Sequence, residues 1–296
     1  MKKIAFIAVV VGLLAGCASQ RGLVSEADYL ALLPQDADIY LRLPVQDNRE
    51  LAGRLVSSVS PSMTGEDLQR LTDRFDMIYG AVDGRKLSAV ATGSFPKTAL
   101  GLVLKEENGW TLTKDKAIPV TGRFYQYRGL PLEVAFPNSS TLVAAPKVVP
   151  LLESFQRQAA SPHPAVLPEA LSRFQEASDG RTIDFYVADV TAALAPFMRD
   201  ILSINLPIQD MYGSFTPVGD GGGGSEGAAQ LYSFSGQIGL PDHRALNSAL
   251  VALNILARTL GLDISASAQE GGTTISISGV MVSQDTLADL VSGVLR

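Results

Sequence analysis

Residues 76–95, DMIYGAVDGRKLSAVATGSF, carry the reading that decides the fold. Asp76-Met77-Ile78-Tyr79-Gly80-Ala81-Val82 has the composition of a strand, Asp83-Gly84 is a hairpin turn signal, and Leu87 to Phe95 is the return strand. Farther along, Asp210-Met211-Tyr212-Gly213 echoes Asp76 to Gly80, and Tyr232 to Leu240 supplies its return strand. A proline then opens a helix in each case: Pro96, with the helix running to about Lys105, and Pro241.

Working outward, Asp38 to Leu43 alternates like a strand and stops at Pro44. Residues 47–59 predict a helix with Leu51, Leu55 and Val59 at four-residue spacing. Thr64-Gly65-Glu66-Asp67 resembles a capping box opening a second helix to about Phe75. Trp110 follows Asn108-Gly109 in a loop-like stretch. Strands near 122–127, 131–136 and 141–145 follow, then a helix near 147–157. In the second half Ile183 to Val187 is a strand. Residues 189–203 are a helix with Leu194, Phe197, Met198 and Ile201 on one face and a kink point at Pro196. Strands at 262–268 and 273–280 precede a final helix at 283–295. The expected class is α+β: two related β-α-β-β-α-β-β-α units, 27–157 and 182–296, with largely antiparallel sheets covered by helices. A linker at 158–181 joins them and carries a short helix with Leu171 and Phe174. Residues 219–228, GDGGGGSEGA, stand where the first unit has its tight turn and predict a mobile loop. They lack the Lys-Ser/Thr pair of a phosphate-cradling loop.

The N-terminus reads MKKIAFIAVVVGLLAGCASQ. Lys2 and Lys3 precede an apolar run, Ile4 to Leu14, too short for an ordinary membrane span. Leu14-Ala15-Gly16-Cys17 resembles the lipobox of bacterial lipoproteins. That resemblance implies removal of residues 1–16, a diacylglycerol thioether on Cys17 and a short tether over 17–26. Cys17 is the only cysteine of 296 residues, so no disulfide can form within the chain. Ala18-Ser19 after the cysteine, rather than Asp, implies by the enteric rule the outer membrane, with the protein facing the periplasm.

Losing Lys2 and Lys3 leaves 22 Lys and Arg against 30 Asp and Glu, a net charge of −8. Such a body has no electrostatic reason to bind nucleic acid or anionic lipid headgroups non-specifically. The only two histidines, His163 and His243, have no cysteine or second histidine at ligand spacing, so no metal site is expected. No GxSxG or HExxH occurs. No cofactor and no catalytic activity are expected. Paired carboxylates, as in a glycan hydrolase, stay open as the weaker alternative.

The feature that stands out is residues 245–260, ALNSALVALNILARTL. Leu246, Leu250, Leu253 and Leu256, with Ile255 and Leu260, wrap more of the helix than a surface position needs. Burial between layers is one reading. A ligand cavity lined by the helix, or docking on lipid, is the other; the few Lys and Arg nearby disfavour direct insertion. The lipobox, acidic body and amphipathic helices together resemble a treponemal lipoprotein of the outer membrane's periplasmic face. That resemblance implies amphipathic helices that engage the bilayer and an apolar cavity. The expected contacting residues are Leu194, Phe197, Met198 and Ile201 with Leu246, Leu250, Leu253 and Leu256. Expected partners are the membrane through Cys17 and a lipid or apolar ligand. The alternative is a tethered protein-interaction module with an envelope protein partner.

Overall fold

In the computed structural model the described residues are 23, 25–190 apart from 64, 85, 97–99, 102 and 177–180, and 208–294 apart from 219–229, 261–264 and 269–272. The predicted helix at 189–203 and the predicted mobile loop lie almost wholly outside them, as do the signal segment and Cys17.

The strands are β1 (Ile39–Pro44), β2 (Phe75–Asp83), β3 (Lys86–Gly93), β4 (Trp110–Lys114), β5 (Arg123–Tyr127), β6 (Leu132–Ala135) and β7 (Thr141–Ala145), then β8 (Ile183–Val187), β9 (Asp210–Val218), β10 (Leu231–Gly239), β11 (Ser265–Ala268) and β12 (Thr274–Ser283). They form one 12-stranded sheet in the order β11-β12-β10-β9-β8-β1-β2-β3-β7-β6-β5-β4. Every pairing is antiparallel. The two halves therefore share one sheet, joined where β1 pairs with β8 in the register Tyr40↔Tyr186, Leu41↔Phe185 and Arg42↔Asp184. From that seam the order runs outward as β1-β2-β3-β7 on one side and β8-β9-β10-β12 on the other. Gly80 pairs with Leu41 and Gly213 with Phe185, so the echoed glycines occupy matching places beside the seam.

Alternation along the strands divides the sheet into two faces. One carries Leu41, Leu43, Ile78, Ala91, Phe185, Phe215 and Phe234. It is covered by α2 (Arg49–Val59), α3 (Gly65–Thr72) and α7 (Gln284–Val294), whose Leu51, Leu71 and Leu287 are buried there. The other carries Tyr40, Tyr79, Val90, Val143 and Tyr186, under α1 (Glu26–Leu30), α4 (Val149–Ala160) and α5 (Glu169–Glu176). Leu30, Leu152, Phe155, Leu171 and Phe174 fill that layer. A third, smaller cluster of Ile238, Leu240, Ala245, Ala249, Ile275, Ile277 and Val280 lies under α6 (His243–Leu260).

Several expectations need correction. The sequence places residues 18–26 in the tether, yet α1 starts at Glu26. Its capping box is complete: Asp28 N donates to Ser25 Oγ at 3.3 Å, and Ser25 N donates to Asp28 Oδ2 at 3.1 Å. Trp110 is no loop residue. It opens strand β4 and is buried against Tyr127, ring centroids 5.1 Å apart. The second helix ends at Thr72, because Phe75 already belongs to β2. The final helix α7 packs on α2 rather than over the opposite face, as α4 does, and Arg54 Nη1 meets Asp285 Oδ1 at 2.5 Å.

Candidate lipid-contacting face

α6 runs over the second-half strands with Ala245 and Ala249 turned into the sheet and buried. Their small side chains let the helix approach closely. Leu246 and Leu250 lie beside them, half-buried against the Ile238–Ile275 cluster. His243, Arg244, Asn247 and Ser248 point to solvent, and so does Val251, 59 % exposed. Asp242 caps the helix start by accepting from Ala245 N at 2.9 Å. Leu253 and Leu256 fall on the same helix, but their side chains lie outside the described residues, as do Leu194, Phe197, Met198 and Ile201 entirely. Of the predicted contacting residues, the structure thus brings Leu246 and Leu250 together on one cluster.

The sequence reading missed a buried polar row at the seam. Arg42 Nη1 donates to Asp184 Oδ2 at 3.1 Å, and Arg42 Nε approaches Glu26 Oε1 of α1 at 2.7 Å, an ion pair without the alignment of a hydrogen bond. Asp184, its side chain 2 % exposed, also accepts from Thr182 Oγ1 at 2.8 Å and Ser214 Oγ at 2.7 Å. Burial pushes the Glu26 carboxyl above its ordinary range, with the Arg42 charge opposing. A signal for this row was present. Ile39-Tyr40-Leu41-Arg42-Leu43 and Ile183-Asp184-Phe185-Tyr186-Val187 each hold one charge, of opposite sign, in otherwise uncharged strands. The row ties α1 to both halves through the Glu26–Arg42 and Arg42–Asp184 pairs.

A hollow of about 530 Å³ is lined by Thr111, Gln126, Arg128, Leu130 and Pro131 near the β4 edge. Another of about 270 Å³ lies between Asp36, Asp38, Tyr40, Pro168 and Tyr186. Neither touches α6. Both histidines are exposed, and no cluster of three metal-ligating side chains occurs among the described residues. No helix among them is long and apolar enough to cross a membrane.

With this geometry in hand, the chain can be set beside known proteins. The family model described as outer membrane-associated lipoprotein TP0453 matches residues 25–288. Outer membrane protein TP0453 of Treponema pallidum (strain Nichols) is 29 % identical over 89 residues. That alignment covers 29 % of this chain and 30 % of that protein, so the aligned chain spans less than a third of the relative's length. The solved crystal forms I and III of TP0453 superpose with TM-scores of 0.65 at 18 % identity. They match 90 % and 89 % of this chain and 98 % and 97 % of theirs, a likeness of fold.

Proposed function

Because the chain belongs to the family of outer membrane-associated lipoprotein TP0453, we propose that it is a non-catalytic protein held by lipid on Cys17 at the outer membrane, facing the periplasm. In this reading its body binds lipid or another apolar ligand, or contacts the membrane, through α6. The lipobox Leu14-Ala15-Gly16-Cys17 supports the anchor. The observation that carries the rest is the seating of α6. Among the described residues it rests on the smallest of the three apolar clusters, with Leu246 and Leu250 half-covered and Val251 bare. The apolar side chains left partly uncovered there, Leu246, Leu250 and Val251, are surface that a lipid or apolar ligand would remove from water. The same reading takes 27–157 and 182–296 as two related units, which the mirrored strand order supports.

Two assays test it. Metabolic labelling with palmitate is expected to mark the wild-type protein and not Cys17→Ser. The Cys17→Ser body, produced without residues 1–16, is expected to co-float with phosphatidylethanolamine vesicles and to do so less when Leu250 is changed to Asp. A body that neither floats nor carries lipid, and instead captures one envelope protein on crosslinking, contradicts the lipid reading.

A further inference from the structure

We propose that the face of β9, β10 and β12 that the described residues leave open is the surface this protein lays against the bilayer that holds its anchor; the inference rests on lipidation of Cys17. The argument begins with strand register. Cross-strand partners share a face, and Arg42, Asp184, Ser214 and Ser235 form one row across β1, β8, β9 and β10. Four residues along β10 from Ser235, on the same face, is Leu231. Val218 pairs directly with it. Met281, the partner of Ser233, stands diagonally across from it on β12. The three are 48 %, 43 % and 47 % exposed in the order Val218, Leu231, Met281. They make one contiguous apolar patch.

Farther along this face lie Thr216, Ser233, Ser235, Gln237, Ser276 and Ser278, all uncharged, with Asp210 at its far end. In the whole of β9 to β12 the only charged residue is Asp210, at the far end of β9. On a body of net charge −8 this is where approach to a phospholipid surface meets the least repulsion and the least headgroup desolvation.

The anchor leaves from this same face. Glu26 reaches Arg42 from the first turn of α1, so α1 begins over the row that leads to the patch. By strand spacing and rise, Leu231 and Met281 lie about 20 Å from Arg42. Leu23 is buried beside Leu30 and its carbonyl accepts from Tyr29 Oη, so only residues 18–22 can extend, over at most about 18 Å. A body of this size is on the order of 45 Å across, so the tether favours the patch over the opposite face, and α6, which lies on that opposite face, is in the anchored protein an element for binding lipid or an apolar ligand rather than for contacting the bilayer. It also holds the patch at high effective concentration near lipid, so a contact too weak to bind a free protein suffices.

The test uses the full lipidated chain in vesicles of phosphatidylethanolamine and phosphatidylglycerol. The Cys17 sulfur is consumed by the thioether, so Met281→Cys carries the only free thiol for an environment-sensitive fluorophore. Gln69→Cys, exposed on α3 of the opposite face, is the reference. Quenching by lipids spin-labelled near the headgroup is expected to be at least threefold stronger at 281 than at 69. Val218→Asp with Leu231→Asp is expected to abolish that difference while the protein still floats. Equal quenching in floating protein overturns the docking face and leaves the anchor intact. Failure to float overturns the anchor and the inference with it. A label at 281 already shielded in the lipid-free Cys17→Ser body shows that protein covers the patch, and overturns the inference.

Discussion

The two halves of the sheet begin alike at the seam and are then clothed differently. On the first-half side β1, β2, β3 and β7 lie between helices on both faces, α2 and α3 on one and α1 and α4 on the other. On the second-half side the face under α6 and α7 is covered, while the other exposes Thr216, Ser235, Gln237 and Ser278. The difference arises at the chain end. α4 leaves β7 onto one face, whereas α7 leaves β12 onto the other and packs against α2. A bulge at Gly279, φ 88°, lies between the β12 partners of Phe234 and Ser235 and shifts the alternation just before that departure. Among the described residues the first half is covered on both faces, and the second keeps one helix on a small cluster and one sheet face uncovered.

The largest expected effect is at the seam that makes the two halves one body. Asp184→Ala leaves the buried Arg42 with Glu26 as its remaining carboxylate partner, and a loss of about 3–5 kcal/mol is expected in urea denaturation. Arg54→Ala, which breaks an exposed pair with Asp285, is expected to cost less than about 1 kcal/mol. Comparable losses at the two positions would show that the seam is not special.

Next come the two cores. Leu152→Ala in the three-layered half is expected to cost about 2–5 kcal/mol and to lower protection from hydrogen exchange throughout. Ile275→Ala under α6 is expected to free the amides of α6 ahead of those of α4, because among the described residues that cluster is small and local. Loss of protection in both helices together would contradict the division.

The echoed glycines give a finer contrast. A Cβ on Gly213 would drive into the Phe185 ring and against Phe234, whereas one on Gly80 meets Leu41 Cβ at an ordinary 3.7 Å. Gly213→Ala is therefore expected to cost about 1–3 kcal/mol, and Gly80→Ala to be neutral within about 1 kcal/mol, both read from denaturant midpoints.

The smallest effect is on pH dependence. Burial raises the carboxyls of Glu26 and Asp210 above their ordinary values, with Arg42 and Arg173 respectively opposing. Just above the ordinary carboxylate range the native state then holds protons that the unfolded chain has released. These groups' contribution is full below that range and is lost as pH rises through their native values. Glu26→Gln with Asp210→Asn is expected to flatten the fall in stability between mildly acid and neutral pH. An unchanged slope would contradict it.

Local pattern made much of this fold legible. The hairpin at Asp83-Gly84, both copies of the Asp-Met-(Ile)-Tyr-Gly strand and the helix after Pro241 could be read because period and turn chemistry are short-range. The pairing of β1 with β8 joins residues 142 apart, Arg42 and Asp184, and no local period encodes it. α1 is too short to show a periodic face, and it hides in the tether because its stability comes from the capping box and from Glu26–Arg42. Trp110 reads as loop because Asn108-Gly109 is a genuine turn, Gly109 at φ 80°, directly before an edge strand. The width of the α6 apolar face was legible. That Ala245 and Ala249 make the sheet contact, with Leu246 and Leu250 to the side, needed the structure.

The most direct test of the lipid reading is native mass spectrometry of the Cys17→Ser body, lacking residues 1–16 and purified without detergent. The account predicts a second mass series displaced by one phospholipid, and its loss when Leu246 and Leu250 are both changed to Ser. A single apo mass from wild-type sequence at these positions, with no lipid taken up on incubation with vesicles, would contradict it and leave α6 a packing element of the second half.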